Sequence, residues 1–206
     1  MLRAHDVTRR TWLRRAGLGT IALASGLQQV FGQRASRPPN ILFIMADDLG
    51  FADVSCYGRP DLNTPNIDRL ATSGVRFLQA YANSAVCSAT RTALITGRYQ
   101  YRLPLGLEEP LPIGRDVGLP PEHPTVPSLL KKAGYGTTLV GKWHLGTLPR
   151  FGPLQSGYDH FYGFRGGAVD YYTHAGPNQQ DDLWDDDVQV HQIGYLTGLK
   201  IGRAHV

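Results

Sequence analysis

Six apolar residues in a row, ILFIMA (Ile41 to Ala46), stand between the polar stretch RPPN (Arg37 to Asn40) and the acidic pair Asp47–Asp48. An unbroken run of that length predicts a strand buried on both faces, as in a parallel sheet, opening the globular part of the chain. The period then changes. In NTPNIDRLATSGVRF, Thr64 as N-cap, Pro65 at the first helical position, apolar Ile67 and Leu70, and Gly74 as a stop predict a helix. VRFLQAYA reads as a strand, TVPSLLKKAGY as a second capped helix closed by Gly134, and GTTLVGKWHLG as a strand followed by a tight turn. Between these, SATRTALIT has helical spacing at Ala89, Ala93 and Leu94, with Gly97 to end it. Strand, helix, strand, helix, strand predicts an α/β domain with a mainly parallel sheet flanked by helices. No internal repeat is visible, and from about residue 150 onward Gly, Pro, Tyr and Asp predict long irregular connections.

Length and hydrophobic content suit one sizeable domain or part of a larger one, with a buried core rather than disorder. Charge changes the picture only once it is located. Of the net +4, residues 1–35 contribute six Arg against one Asp, and the remainder is close to neutral. No basic patch points to nucleic acid as a partner. The leader has its own logic: TRRTWLRR (Thr8 to Arg15) precedes AGLGTIALASGL, an apolar run too short to be a permanent membrane span. That layout is an export signal, and Arg9–Arg10 with Trp12–Leu13 resembles the bacterial twin-arginine type, read by the export machinery. An ordinary secretory signal and a membrane tether are the alternatives. The expected location is periplasmic or secreted.

Three clusters carry candidate chemistry. Asp47 and Asp48 leave the first apolar run together, where two carboxylates repel and lose solvation unless a cation neutralises them. Oxygen ligands suit a hard cation such as Ca²⁺ or Mg²⁺; a solvated turn is the plain alternative. Lys142 and His144, two apart after an apolar strand, would project to one side, offering a cation and an imidazole to an anionic substrate. They could equally be surface residues. Cys87 lies at the N-terminal end of a helix, where unpaired N–H groups and the dipole attract anions, and Arg91 stands one turn in. A nucleophile, a disulfide with Cys56 and an inert buried thiol all fit those residues alone.

CSATRTALITGR (Cys87 to Arg98) resembles the sulfatase signature, in which Cys-x-Pro/Ala-x-Arg directs conversion of the cysteine to formylglycine. The resemblance extends in order and spacing through PNILFIMADDLG, TPNIDRLATSGVRF, GYGTTLVGKWHLG and GYDHFYGFRGGAVDYYTH, over about residues 38–197, and the bacterial arylsulfatase-like branch is most similar. It implies an alkaline-phosphatase-like α/β fold and a sulfuric ester hydrolase. Cys87, converted by a formylglycine-generating enzyme, would carry an aldehyde hydrate: one hydroxyl attacks sulfur, the alcohol leaves, and the second hydroxyl expels sulfate. By the same resemblance Asp47, Asp48 and the modified Cys87 bind one Ca²⁺. The resemblance further implies that Arg91 would hold the formylglycine, Lys142 would bind sulfate, and His144 would orient the diol and assist proton transfer. Ala89 stands where proline is commoner, a variant the signature is expected to tolerate; Cys56, in a CYG block, reads as structural.

The family's later metal ligands, second active-site His and second Lys have no counterpart, so residues 36–200 are expected to be the N-terminal part of a catalytic domain, inactive as a fragment. His174 and His191 receive no role, and DDLWDDD (Asp181 to Asp187) reads as a solvated loop. IGRAHV (Ile201 to Val206) matches a translation of ATC-GGA-AGA-GCA-CAC-GTC, a sequencing adapter, so residues 201–206 are expected to be read-through; an open frame ending naturally after Val206 in the source gene would remove that expectation. Two rival readings are a phosphoester or phosphonate hydrolase of the same superfamily and a non-catalytic binder of sulfated glycans. The alcohol half of the substrate is not legible.

Overall fold

The computed structural model describes residues 38–107, 109–112 and 114–204. The leader and its export signal lie outside the described residues, as do the last two residues of the adapter-like tail. By contacts the chain divides into Met1–Ala46 and Asp47–Val206. In the first unit, residues 38–46 form no strand, and Ile41, Leu42, Phe43 and Ile44 are exposed. The expected first strand is therefore not formed. A strand buried on both faces needs a neighbouring strand to pair its N–H and C=O groups, and none pairs with it among the described residues. Residues 75–82, also expected as a strand, are irregular and exposed for the same reason.

Among the described residues of the second unit four α-helices and a small sheet carry the order α1 (Pro65–Ser73), α2 (Cys87–Thr96), α3 (Val126–Lys132), β1 (Thr138–Lys142), β2 (His160–Phe164), β3 (Trp184–Asp185), β4 (Val188–Gln189) and α4 (Leu196–Arg203). The strands lie in that order across the sheet, with β1–β2 parallel and β2–β3 and β3–β4 antiparallel. The helix expectations hold. Thr64 and Pro65 open α1, and Ser55 and Asp68 hydrogen-bond the Thr64 side chain. Gly97 ends α2 in the left-handed region (φ 65), its N–H donating to the Ala93 carbonyl. Thr125 caps α3, accepting from Ser128 N while Ser128 Oγ reaches back to Thr125 N. Ala89 and Ala93 are buried as their spacing implies, whereas Leu94 is 41% exposed.

The parallel pair is the framework of the site. Its register runs from Thr138 opposite His160 to Lys142 opposite Phe164. At its entrance Thr137 and Asp159 clasp one another: Thr137 N and Oγ1 donate to Asp159 Oδ2, and Asp159 N donates to the Thr137 carbonyl. Side chains of β2 alternate between two cores, as a strand covered on both faces must. Phe161 joins Ile95, Leu119, Trp143 and Leu145 on one side; Tyr162 and Phe164 join Leu183 and Leu196 on the other. Helix α2 thus contributes to the first core and α4 to the second.

The acidic run is not a solvated loop throughout. Arg165 is 4% exposed and needs counter-charge. Its Nη2 donates to Asp187 Oδ1 and the Asp186 carbonyl, its guanidinium stacks 4.0 Å from the Trp184 ring, and Asp182 accepts from Arg165 N, Gly166 N and Trp184 Nε1. The run folds as the β3–β4 hairpin around that arginine.

Candidate active site

Helix α2 begins at Cys87, and strand β1 ends at Lys142. The two ends meet. Two residues beyond the strand His144 adopts a left-handed backbone (φ 57), its N–H donating to the Arg165 carbonyl, and its ring enters the core with 5% exposure. Nδ1 stands 3.2 Å from Cys87 Sγ, and Nε2 stands 3.1 Å from the Leu111 carbonyl oxygen. A carbonyl only accepts, so Nε2 carries the ring proton and a neutral imidazole presents a bare Nδ1 to the thiol. Burial pushes the His144 pKa below its ordinary value, and the Lys142 charge adds to this, outweighing the Leu111 hydrogen bond. His144 is thus neutral near pH 7 and placed to take a proton from the side chain at position 87.

Arg91, one turn into α2, donates from Nη1 to the Lys142 carbonyl at 2.7 Å, and its Nη2 lies 3.7 Å from Asp47 Oδ2. Lys142 Nζ donates to the same Asp47 oxygen at 2.8 Å, with the lysine side chain only 8% exposed. Burial acts to raise the Asp47 pKa, but the Lys142 hydrogen bond and charge, with Arg91, hold it below the ordinary value. Arg91 is itself lowered by burial, partly opposed by Asp47. Its Nε is buried with no hydrogen-bond partner. Two cations and a carboxylate therefore gather at the strand end that also delivers His144. Asp48 stands exposed with φ 58 and makes no hydrogen bond or ion pair among the described residues.

Every residue singled out from the sequence except Asp48 falls into this network: Cys87 with His144, and Arg91 with Lys142 and Asp47. Cys87 and Cys56 are both free, so the disulfide alternative is not formed. His174 is buried and serves the fold, its Nε2 against the Gly194 carbonyl at 3.1 Å. Sequence reasoning missed Leu111 and Gly167. A Cβ on Gly167 would stand 2.8 Å from His144 Cε1, so only glycine leaves room for the ring. Leu111 acts through its backbone, which no side-chain motif announces.

The fit to a metal is partial. Asp47 and Asp48 are the hard oxygen donors that Ca²⁺ takes, but that ion needs six to eight. Among the described residues no three His, Cys, Asp or Glu side chains are grouped to hold one.

A thiol facing a neutral imidazole, beside two cations at the end of a parallel strand pair, defines a nucleophile–base site suited to anionic esters. The comparisons agree with that class. The sulfatase family model matches residues 39–195, and the chain belongs to the sulfatase family. It is 42% identical over 161 residues to arylsulfatase A of Homo sapiens, covering 77% of this chain and 29% of that protein. It is 42% identical over 137 residues to N-acetylgalactosamine-6-sulfatase of Homo sapiens, covering 63% and 26%. The chain spans less than a third of the length of these relatives. Among solved structures, Ps i-CgsB matches with a TM-score of 0.71 at 36% identity, covering 79% of this chain and 39% of that one. PsFucS1 sulfatase from Pseudoalteromonas sp. matches with a TM-score of 0.59 at 36% identity, covering 74% and 31%. The fold is accordingly the alkaline-phosphatase-like α/β class, of which these residues form part. No described helix is long and apolar enough to cross a membrane.

Proposed function

We propose that this chain is the nucleophile-bearing portion of an exported sulfatase that hydrolyses sulfate esters through a formylglycine made from Cys87. The observation that carries the reading is the 3.2 Å approach of Cys87 Sγ to His144 Nδ1 at the start of the helix that bears the signature. The thiol sulfur marks where an oxygen of the hydrated aldehyde would stand. Formylglycine would supply a geminal diol as nucleophile, and a Ca²⁺ ion held by Asp47, Asp48 and residue 87 would favour its ionised form.

The chain's own residues then have defined tasks. His144 Nδ1 takes the proton from the side chain at position 87, while the Leu111 carbonyl keeps the other ring nitrogen protonated. Lys142 offers an ammonium to the anionic ester, and Arg91 adds positive charge beside it. Asp47 keeps both cations in place between turnovers. The partners follow from the chemistry: a sulfate-ester substrate, a formylglycine-generating enzyme and the export machinery. A solved relative at 33% identity is described in complex with a neocarrahexaose, which favours a sulfated carbohydrate as the substrate class. With two carboxylates as the oxygen ligands at the metal position, the 206 residues alone are expected to show no turnover.

Mass spectrometry of the Cys87 peptide, after expression with a formylglycine-generating enzyme, tests the conversion: an aldehyde is expected, and an unmodified thiol counts against it. Turnover of p-nitrophenyl sulfate by the complete reading frame, abolished by Cys87→Ala, tests the reaction. Binding of sulfated glycan without turnover would favour the non-catalytic alternative.

A further inference from the structure

Ser88, the residue after the nucleophile position, is 1% exposed, and its Oγ accepts a hydrogen bond from Leu111 N at 2.9 Å. The carbonyl of the same Leu111 accepts a hydrogen bond from His144 Nε2 at 3.1 Å, and the other ring nitrogen faces Cys87 at 3.2 Å. The circuit closes on itself: Cys87 and Ser88 are neighbours at the start of α2, so one helix end presents the reacting side chain and anchors the segment that orients its base. We propose that Ser88 is a positioning residue for His144, acting through Leu111. This rests on the reading of position 87 as the nucleophile.

The segment between them is built to transmit position. Leu111 sits between Pro110 and Pro112. A following proline confines Leu111 to extended backbone, and Pro110 has a fixed φ of its own. The Leu111 N–H and C=O lie in successive peptide planes hinged at one Cα, so with that hinge stiffened, fixing the N–H fixes where the carbonyl points. Ser88 is held in turn, its carbonyl accepting from Thr92 Oγ1 at 2.8 Å. Removing the hydroxyl leaves a buried N–H without a partner. The Leu111 segment then shifts to satisfy it, and the imidazole loses the acceptor that aims Nδ1 at residue 87.

The test uses the 206-residue chain with Cys87 unconverted and needs no sulfate ester. Absence of turnover by the complete reading frame would therefore sink the sulfatase reading without touching this inference. Iodoacetamide alkylation at neutral pH is followed by mass spectrometry at Cys87, with Cys56 as internal control. In Ser88→Ala the Cys87 rate is expected to fall about tenfold, because the sulfur loses its aligned proton acceptor, while the Cys56 rate holds. Ser88→Thr, which keeps the hydroxyl, restores the rate. A residue that merely fills space gives the opposite sign: its loss loosens the helix start and speeds Cys87 alkylation. An unchanged or raised Cys87 rate overturns the proposal, as does a failure of Thr to restore it. Should Ser88→Ala not fold, shown by both cysteines reacting at the unfolded rate, Pro112→Gly decides. It frees the Leu111 hinge with Ser88 intact, and a several-fold slower Cys87 is expected; no change overturns the proposal.

Discussion

The imidazole of His144 is fixed by the Leu111 carbonyl at Nε2 and faces Cys87 at Nδ1, and it lies in space that only a glycine at position 167 leaves open. Gly167→Ala would place a Cβ 3.0 Å from Nε2 and closer still to Cε1, in a core that cannot yield. The ring must move off its acceptor. Misplacement by about 1 Å costs on the order of a hundredfold, so under the proposed function kcat/KM for p-nitrophenyl sulfate of the complete reading frame carrying Gly167→Ala should fall by about that factor with the fold retained. Lys142 and Arg91 show the reverse economy of position, since both converge on a single oxygen of Asp47. Which chemistry each residue type could perform was legible in the motif GKWH and in the cysteine signature. That His144 faces residue 87 was implied by the family resemblance, which has it orient the diol there; that Lys142 meets Asp47 was not, because two residues two apart on a straight strand would share one partner. The left-handed turn at His144 separates them.

Strands β1 and β2 stay in register through two glycines. Gly141 faces Gly163, and a Cβ on Gly163 would lie 1.9 Å from the Gly141 carbonyl oxygen. Gly163→Ala should therefore destabilise the fold by about 3 kcal/mol, the upper range for overpacking, measured by denaturant unfolding; a loss under about 0.5 kcal/mol would contradict the register. The entrance of the same pair makes a pH prediction. Hydrogen bonds from Lys131 first, then the Thr137 backbone and side chain, hold the Asp159 carboxyl at about 2 against an ordinary 3.8. A carboxylate with a depressed folded-state pKa stabilises fully above its unfolded value and loses that contribution as pH falls toward the folded one. Acid unfolding between about pH 4 and pH 2 should be shallower in Asp159→Asn than in the parent chain, with no difference in slope near neutrality. Capping signals made α1 and α3 readable in advance. The β3–β4 hairpin was hidden, because DDLWDDD has the composition of a solvated loop until a buried Arg165 requires its carboxylates.

At the scale of the molecule, two apolar segments expected as strands have no strand neighbour among the described residues. Ile41, Leu42, Phe43 and Ile44 are exposed together, and Phe77, Leu78 and Tyr81 likewise. Contiguous exposed apolar residues with strand composition template association. The 206-residue chain should show concentration-dependent light scattering, and Leu42→Lys with Ile44→Lys should reduce it. Equal scattering by the double variant would assign the association to another surface. The relatives are more than three times as long as the span they share with this chain.

Period, capping residues and the cysteine signature were enough to place α1, α2, α3 and β1 and to name Cys87, Arg91, Lys142, His144 and Asp47, since each is a local signal written in adjacent side chains. Whether ILFIMA forms a strand, which cation holds Asp47, and which ring nitrogen of His144 faces the sulfur depended on groups far apart in the chain. Leu111 lies 33 residues from His144, and its contribution is a carbonyl that every residue possesses. A backbone acceptor acquires meaning only where folding carries it, and no pattern of side chains records that destination.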